Sequence, residues 1–213
     1  MQPHRTIDPA VMAAHVVVRL QTVVSREINP SDISVLTVGS LQAGQTENII
    51  ADSAEIGVDI RSVRPETREK LLASIRRIVK AECEASGSMV APVFKMTRHL
   101  PNTVNDESMM KTLVKSFSEY FEADFDANIP TTTISEDFSV LATSQGRPCA
   151  FWHWGGIEEG LWDQSLKEGR IDDIPANHTA RFAPVIHPTM RTGIDALCVA
   201  ALAFFDEKLQ HRL

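Results

Sequence analysis

The chain has 213 residues with a formal net charge of −7, 43% hydrophobic residues and 23% charged residues. This composition is ordinary for a globular protein and excludes collagen-like, coiled-coil and disordered chains. The acidic balance and the lack of a dense lysine and arginine run argue against nucleic acid as a partner. No apolar run reaches the roughly 18 residues of a membrane helix, and no secretory signal opens the sequence, so no membrane contact and a cytoplasmic location are predicted.

The first predicted elements are a helix and two strands. Asp8-Pro9 is typical of a helix start, and the apolar spacing that follows predicts a helix over residues 9–27. A β-rich segment, residues 34–38, predicts a strand that ends at Gly39. Strict alternation over residues 54–61 predicts a half-buried strand with Arg61 on its polar face.

A second helix and a third strand complete the first predicted domain. Pro65 starts an amphipathic helix, Gly87 is placed to end it, and a strand is predicted around residues 89–96. The order helix, strand, strand, helix, strand is that of a ferredoxin-like split βαβ sandwich without its first strand. We therefore predict an α/β fold with an α+β domain over residues 1–97.

The pattern changes near residue 98, which predicts a second domain over residues 98–213. Asp106 is placed to cap a helix, and Ser135 to cap a short helix that has Glu136 and Asp137 in its first turn. Residues 150–152 read as a buried strand, and residues 158–180 as a long loop that can include one helical turn over residues 162–167. The last helix is predicted to begin at Pro188 and to bury an apolar face made of Ile194, Leu197, Ala201, Phe204 and Phe205.

The residue patterns alone complete no catalytic motif. His178 lies in a loop, where a histidine is more often a surface residue than a metal ligand. Asn48 can be a turn residue or a substrate-binding amide, and Arg61 can be a solvated charge or a fork for a carboxylate. Gly155-Gly156 fits a plain turn. Three widely spaced cysteines indicate reduced core thiols, namely Cys83, Cys149 and Cys198.

Several motifs, taken in their order, resemble one family. The chain is similar to the C-terminal part of the zinc-dependent amidohydrolases and metallopeptidases related to aminoacylase, hippurate hydrolase, indole-3-acetyl-amino-acid hydrolase and succinyl-diaminopimelate desuccinylase. The segments that carry the resemblance are residues 3–9, 20–27, 37–40, 47–52, 59–62, 101–106, 135–139 and 177–182. The resemblance implies a dimerisation domain followed by the C-terminal portion of a zinc-peptidase-like α/β catalytic domain.

The resemblance also implies roles for the residues left open above. His178 matches a ligand of a paired divalent metal site that holds zinc, manganese or cobalt. Asn48 and Arg61 match residues that bind the substrate carbonyl and carboxylate, and the backbone of Gly155 and Gly156 matches the wall near the carboxylate end. Glu136 and Asp137 match another part of the pocket wall. A homodimer formed through the dimerisation domain and a small amide substrate, such as an N-acyl amino acid, are the implied partners.

The family's other metal ligands and its general-base glutamate have no counterpart in this sequence. We therefore expect an N-terminally truncated amidohydrolase that is inactive alone. The alternative is a non-catalytic dimerisation or interaction module derived from the same family.

Overall fold

The computed structural model describes residues 3–210, with side chains described for residues 4–205. The chain divides into two compact units. Unit 1 comprises the residues up to Leu100 together with Pro130–Ser135, and unit 2 comprises Pro101–Ile129 together with the residues from Glu136 onward. Each unit is described by itself below.

Unit 1 begins with helix α1, Pro9–Arg26, which confirms the predicted helix. Asp8 caps the helix because its side chain accepts hydrogen bonds from the backbone N–H groups of Ala10 and Val11, at 2.9 and 3.4 Å. Proline at the first helical position fits because its missing N–H would have no partner there. The buried face consists of Ala13, Val16, Leu20 and Val23.

An antiparallel hairpin follows, made of β1, Ser34–Ala43, and β2, Ala54–Ser62. The predicted end of β1 at Gly39 was wrong, because a register irregularity between Val38 and Ser40 lets the strand continue past the glycine. The alternation in β2 is confirmed: its even-numbered residues are half-buried, whereas Arg61 lies on the exposed face.

Helix α2, Pro65–Ala85, returns along the hairpin and ends before Gly87, whose φ is +73°. Both helices pack on one face of the hairpin. The buried residues of this core are Val16, Leu20, Val23, Ile28, Leu71 and Ile78, and β-strand side chains pack against them, among them Leu36, Val58 and Ile60.

The predicted strand over residues 89–96 was wrong. These residues form no strand, and several are highly exposed, with Met89 at 97% and Val93 at 93%. A mostly apolar segment is compatible with a strand, but a strand exists only where a second backbone pairs with it. The order of elements in unit 1 is thus α1, β1, β2, α2, and the mixed α/β class is confirmed with a two-stranded sheet in the described residues.

Unit 2 is built from four helices. They are α3, Glu107–Phe121; α4, Phe138–Thr143; α5, Glu159–Lys167; and α6, Thr189–Gln210. Asp106 caps α3 as predicted, because its carboxylate accepts from Met109 N at 2.9 Å. Phe117 lies at the centre of the core, with the rings of Phe121, Phe125 and Trp152 in edge contact at 5.4–5.7 Å between centroids.

Residues 150–152 form no strand, although Ala150 is buried. The side chain of Asn105 replaces a neighbouring strand: its Nδ2 donates to Phe151 O at 2.9 Å, and its Oδ1 accepts from Phe151 N at 2.7 Å. Asp106 N donates to Cys149 O at 2.9 Å beside it. The segment therefore satisfies its backbone groups without a sheet.

The predicted helical turn at residues 162–167 lies within α5, but the helix is longer than predicted because it begins at Glu159. Glu158 caps this helix through Gly160 N and Leu161 N, at 3.0 and 2.6 Å. Glu158 is a capping signal that can be read from the sequence. The polar composition of the segment nevertheless favoured the prediction of a loop.

The predicted buried face of the last helix was wrong except at Phe204, which is half-buried against the core of unit 2. Ile194, Leu197 and Phe205 are 53%, 59% and 63% exposed, whereas Ala196 and Ala200 are buried. Apolar residues lie on more than one side of α6, so periodicity does not identify which side packs. The small residues allow close approach, as at Gly193, where an added Cβ would lie 3.1 Å from Trp154 Cε2.

Two smaller expectations can be compared with the structure. No helix within residues 3–210 is long and apolar enough to cross a membrane. The cysteines are free thiols, but only Cys149 is a buried core residue, since Cys83 is half-buried and Cys198 is exposed. Burial raises the pKa of the Cys83 thiol.

Glu27, at the C-terminal end of α1, links this helix to α2. Its carboxylate accepts hydrogen bonds from Arg77 Nη2 at 2.6 Å and Ser74 Oγ at 2.8 Å, and its backbone oxygen accepts from Lys70 Nζ. The Arg77 bond, followed by the Ser74 bond, lowers the pKa of Glu27 from its ordinary value of 4.5. Ionised Glu27 therefore stabilises the fold above about pH 4.5, and this contribution is lost as the pH falls through the lowered pKa.

We expect Glu27→Gln to reduce the free energy of unfolding by about 1–2 kcal/mol at neutral pH, because two charge-assisted hydrogen bonds are weakened. Urea unfolding at pH 7 and at pH 3 measures this loss, which should shrink at the lower pH. Glu82→Gln is the control, because the contact of Glu82 with its partner Arg19 is longer, at 3.7 Å, than a hydrogen bond. An equal loss at both pH values would contradict the assigned role of the carboxylate.

Candidate functional site

Asn48 lies in the connection between β1 and β2. This connection borders a cavity of about 470 Å³ at the N-terminal end of α1, lined by Asp8, Ala10 and residues 43–51. Gly44 starts the connection with a φ of +72°, a conformation that glycine adopts without strain. The exposed Asn48 amide is therefore available to a ligand in this cavity, with both a donor and an acceptor.

Arg61 lies on the outward face of β2 and makes two hydrogen bonds. Its Nε donates to Asp59 Oδ2 at 3.1 Å, and its Nη1 donates to the backbone oxygen of Thr133 at 2.9 Å. Asp59 shares this face because residues two apart in a strand point to the same side. The Arg61 side chain is 44% exposed, so the guanidinium is held but remains accessible.

The structure does not bring Asn48 and Arg61 together within unit 1. Ala43 pairs with Ala54 beside the connection, whereas Arg61 pairs with Val35 near the other end of the hairpin. At about 3.4 Å per residue, these two pairs lie about 24 Å apart. Arg61 therefore lies near the end of the hairpin opposite to the connection that carries Asn48.

Glu136 has a structural role in unit 2. One carboxylate oxygen accepts from the hydroxyl of Thr103, and the other accepts from Phe138 N at 2.6 Å. The helix therefore begins at Phe138, and the prediction that Ser135 caps it was wrong: Asp137 occupies the N-cap position but makes no side-chain capping bond. Asp137 is exposed, whereas Glu136 is half-buried.

The two glycines of the predicted pocket wall differ in their surroundings. Gly155 is open, with nothing within 4 Å of an added Cβ, whereas a Cβ on Gly156 would lie 3.0 Å from Pro184 Cβ. Gly156 O also accepts from Val185 N at 2.9 Å. Close backbone approach thus requires glycine at position 156 but not at position 155.

His178 lies in an exposed turn and has a φ of 67°. Within residues 3–210, no three histidine, cysteine, aspartate or glutamate side chains converge as a metal site requires. A catalytic zinc usually has three protein ligands, so His178 with its described surroundings does not by itself fit a catalytic metal centre.

Comparison with known proteins identifies the family to which the first part of the chain is similar. Residues 1–86 match the family model described as a peptidase dimerisation domain. They are a dimerisation domain of the M20 peptidase family. The resemblance stated from the sequence is therefore confirmed.

Several similar proteins with curated names are deacetylases. N-acetyldiaminopimelate deacetylase of Anoxybacillus flavithermus is 32% identical over 167 residues, which cover 73% of this chain and 40% of that protein. The Bacillus cytotoxicus enzyme of the same name is 30% identical over 182 residues, 80% of this chain and 45% of that protein. The chain thus spans less than half the length of these relatives.

Solved structures agree with the fold. A proposed aminohydrolase of methicillin-resistant Staphylococcus aureus has a TM-score of 0.57 and 29% identity, covering 69% of this chain and 37% of that one. The Bacillus subtilis YXEP protein, a dinuclear metal-binding peptidase of the M20 family, has a TM-score of 0.53 and 22% identity, covering 67% and 35%. The second of these shows the fold alone.

Sequence analysis did not single out three residues that organise the candidate site. They are Asp59 and Thr133, which hold Arg61, and Asn105, which holds the segment before the glycine pair. The Asp-x-Arg spacing on a predicted strand could have indicated Asp59, because both residues fall on one face. Nothing in the sequence pairs Thr133 with Arg61, which lies 72 residues away.

We expect Gly156→Ala to lower the free energy of unfolding by about 1–3 kcal/mol, because the added methyl group is forced against Pro184. Gly155→Ala is the matched control and should stay within about 0.5 kcal/mol of the wild type. Chemical denaturation of the two variants measures the difference. Equal stability of the two variants would contradict the close packing described at position 156.

Proposed function

We propose that this protein is one of the metal-dependent amidohydrolases, which hydrolyse the amide bond of N-acyl amino acids or similar small substrates. The observation that carries the proposal is the peptidase dimerisation domain over residues 1–86, continued by similarity to N-acetyldiaminopimelate deacetylases over most of the chain. An N-acylated amino acid of the diaminopimelate type is the substrate that these names favour. A cytoplasmic location remains a prediction from the sequence.

Each proposed residue has a role that suits its chemistry. The Asn48 amide donates a hydrogen bond to the substrate carbonyl, and the Arg61 guanidinium binds the carboxylate. The backbone at Gly155 and Gly156 lines the carboxylate end of the pocket, while Glu136 and Asp137 shape its wall. In the proposed role of Glu136, its two hydrogen bonds hold that wall in place.

A divalent metal would polarise the amide carbonyl and activate a water molecule in such an enzyme. Of the residues in this chain, we assign only His178 to a metal, which is zinc, manganese or cobalt. Because one ligand is too few, we propose that this chain alone does not hydrolyse amides.

A homodimer formed through the dimerisation domain is part of the proposal. The hairpin geometry supports it, since Asn48 and Arg61 belong to opposite ends of a hairpin about 24 Å long. In a dimer, Asn48 of one copy and Arg61 of the other can serve the same molecule.

The second candidate is a non-catalytic dimerisation module that pairs with itself or with a longer relative. The description of the domain that residues 1–86 match favours it directly. Formation of a dimer without hydrolysis of amides is the property that distinguishes this module from the amidohydrolase.

The decisive experiment measures metal content and amide hydrolysis with the purified chain of 213 residues. N-acetyldiaminopimelate and a small panel of N-acyl amino acids are tested with zinc, cobalt or manganese. We expect no paired metal and no turnover, because the chain supplies too few ligands. Mixing it with an active deacetylase relative should then yield mixed dimers.

His178→Ala is the control for metal binding, with His15→Ala as a matched exposed histidine in α1. Two metals bound per chain, with turnover that is lost only in His178→Ala, would contradict the proposed inactivity and establish catalysis. Failure to form any dimer would contradict both candidate functions.

A further inference from the structure

We propose that Asp59 is a positioning residue, which together with the backbone oxygen of Thr133 orients the Arg61 guanidinium toward a carboxylate ligand. The inference rests on the proposed function, in which Arg61 binds the substrate carboxylate. It adds a specific task for two residues that contact Arg61.

The two contacts use two different nitrogens of Arg61. Nε donates to Asp59 Oδ2 at 3.1 Å, and Nη1 donates to Thr133 O at 2.9 Å. A guanidinium is planar and rigid, so two fixed N–H directions also fix the direction of the third nitrogen. Among the hydrogen bonds of the described residues, these two leave Nη2 for a ligand.

The contacts are too exposed to serve mainly as stabilising interactions. The side chains of Arg61 and Asp59 are 44% and 63% exposed, and exposed ion pairs contribute little to folding. An arginine side chain in solution samples many rotamers, and binding would have to restrict them. A guanidinium that is already oriented avoids much of this loss of entropy when a ligand binds.

Asp59 also limits the attraction of the site for anions. Its carboxylate offsets the positive charge of Arg61, so affinity depends on the hydrogen bonds offered by Nη2 rather than on charge alone. Removal of the Asp59 charge and removal of its hydrogen bond therefore have opposite effects on carboxylate binding. Two substitutions at this position separate them.

Asp59→Asn and Asp59→Ala remove the same negative charge, but only asparagine retains a side-chain oxygen that can accept from Nε. Each variant of the full chain is labelled with ¹⁵N, and the Nε–H signal of Arg61, assigned with Arg61→Lys, is followed by NMR during titration with N-acetylglycine. We expect Asp59→Ala to bind about fivefold more weakly than Asp59→Asn, the factor for one net hydrogen bond. The Nε–H signal of free Asp59→Ala should also lose the shift that marks its hydrogen bond.

Thr133 is tested through its carbonyl group. In Arg61→Lys, the ¹³C carbonyl shift of Thr133 should move in the direction that marks a lost hydrogen bond, while the amide spectrum of β1 and β2 stays that of the folded hairpin. An unchanged carbonyl shift would overturn the contribution of Thr133.

Asp173→Ala is the matched control, because Asp173 accepts from Arg170 Nε at 2.8 Å in an equally exposed pair. It should leave N-acetylglycine binding at Arg61 unchanged. Equal affinity of Asp59→Ala and Asp59→Asn would overturn the positioning role while leaving Arg61 as a carboxylate ligand. A titration in which no variant, including the wild type, shifts the Arg61 signal would instead overturn the role of Arg61 in the proposed function, and the positioning role with it.

Discussion

The packing of α1 and α2 on one face of the β1–β2 hairpin is the constraint on which the functional features of unit 1 depend. Side chains alternate along a strand, so the inward side chains of Leu36, Val58 and Ile60 fix which residues face outward. A slip of one residue would place Arg61 in the core, where an unpaired guanidinium is costly. Hydrophobic burial therefore sets the orientation of a polar residue that takes no part in the core.

The same register decides how far the candidate residues lie from one another. The connection that carries Asn48 begins where the strands end, and Arg61 belongs to the opposite end of the same strands. Association of two copies would bring opposite ends of two hairpins near each other, which is the arrangement invoked in the proposed homodimer. It agrees with the dimerisation family that residues 1–86 match.

Unit 2 positions its candidate residues differently, because side-chain hydrogen bonds rather than a sheet hold their backbone segments. Asn105 bonds both backbone groups of Phe151, and Glu136 joins Thr103 to the first turn of α4. The segment with the glycine pair continues directly from Phe151. Polar residues in the motifs that resemble the family therefore stabilise the local structure, in addition to any contact that they make with a substrate.

Much of unit 1 could be predicted from the sequence, since its two helices begin at prolines and have regular apolar spacing and β2 alternates strictly. Residues 89–96 were predicted as a strand but form none, because local sequence cannot supply a pairing partner. The last helix was placed correctly, yet its packed face was not, because apolar residues on several sides make periodicity ambiguous. Roles for Asn48, Arg61 and His178 came from family resemblance, and they stay predictions.

The sequence by itself determined the starts of α1, α2 and α3, the alternation of β2 and the family, because each depends on residues close in the chain or on an ordered series of motifs. Only the tertiary structure decided that Thr133 holds Arg61, that Asn105 replaces a strand and that Asn48 and Arg61 belong to opposite ends of the hairpin. Those relations join residues that are distant in sequence, and their geometry follows from hairpin register and side-chain packing. Local propensity carries no information about either.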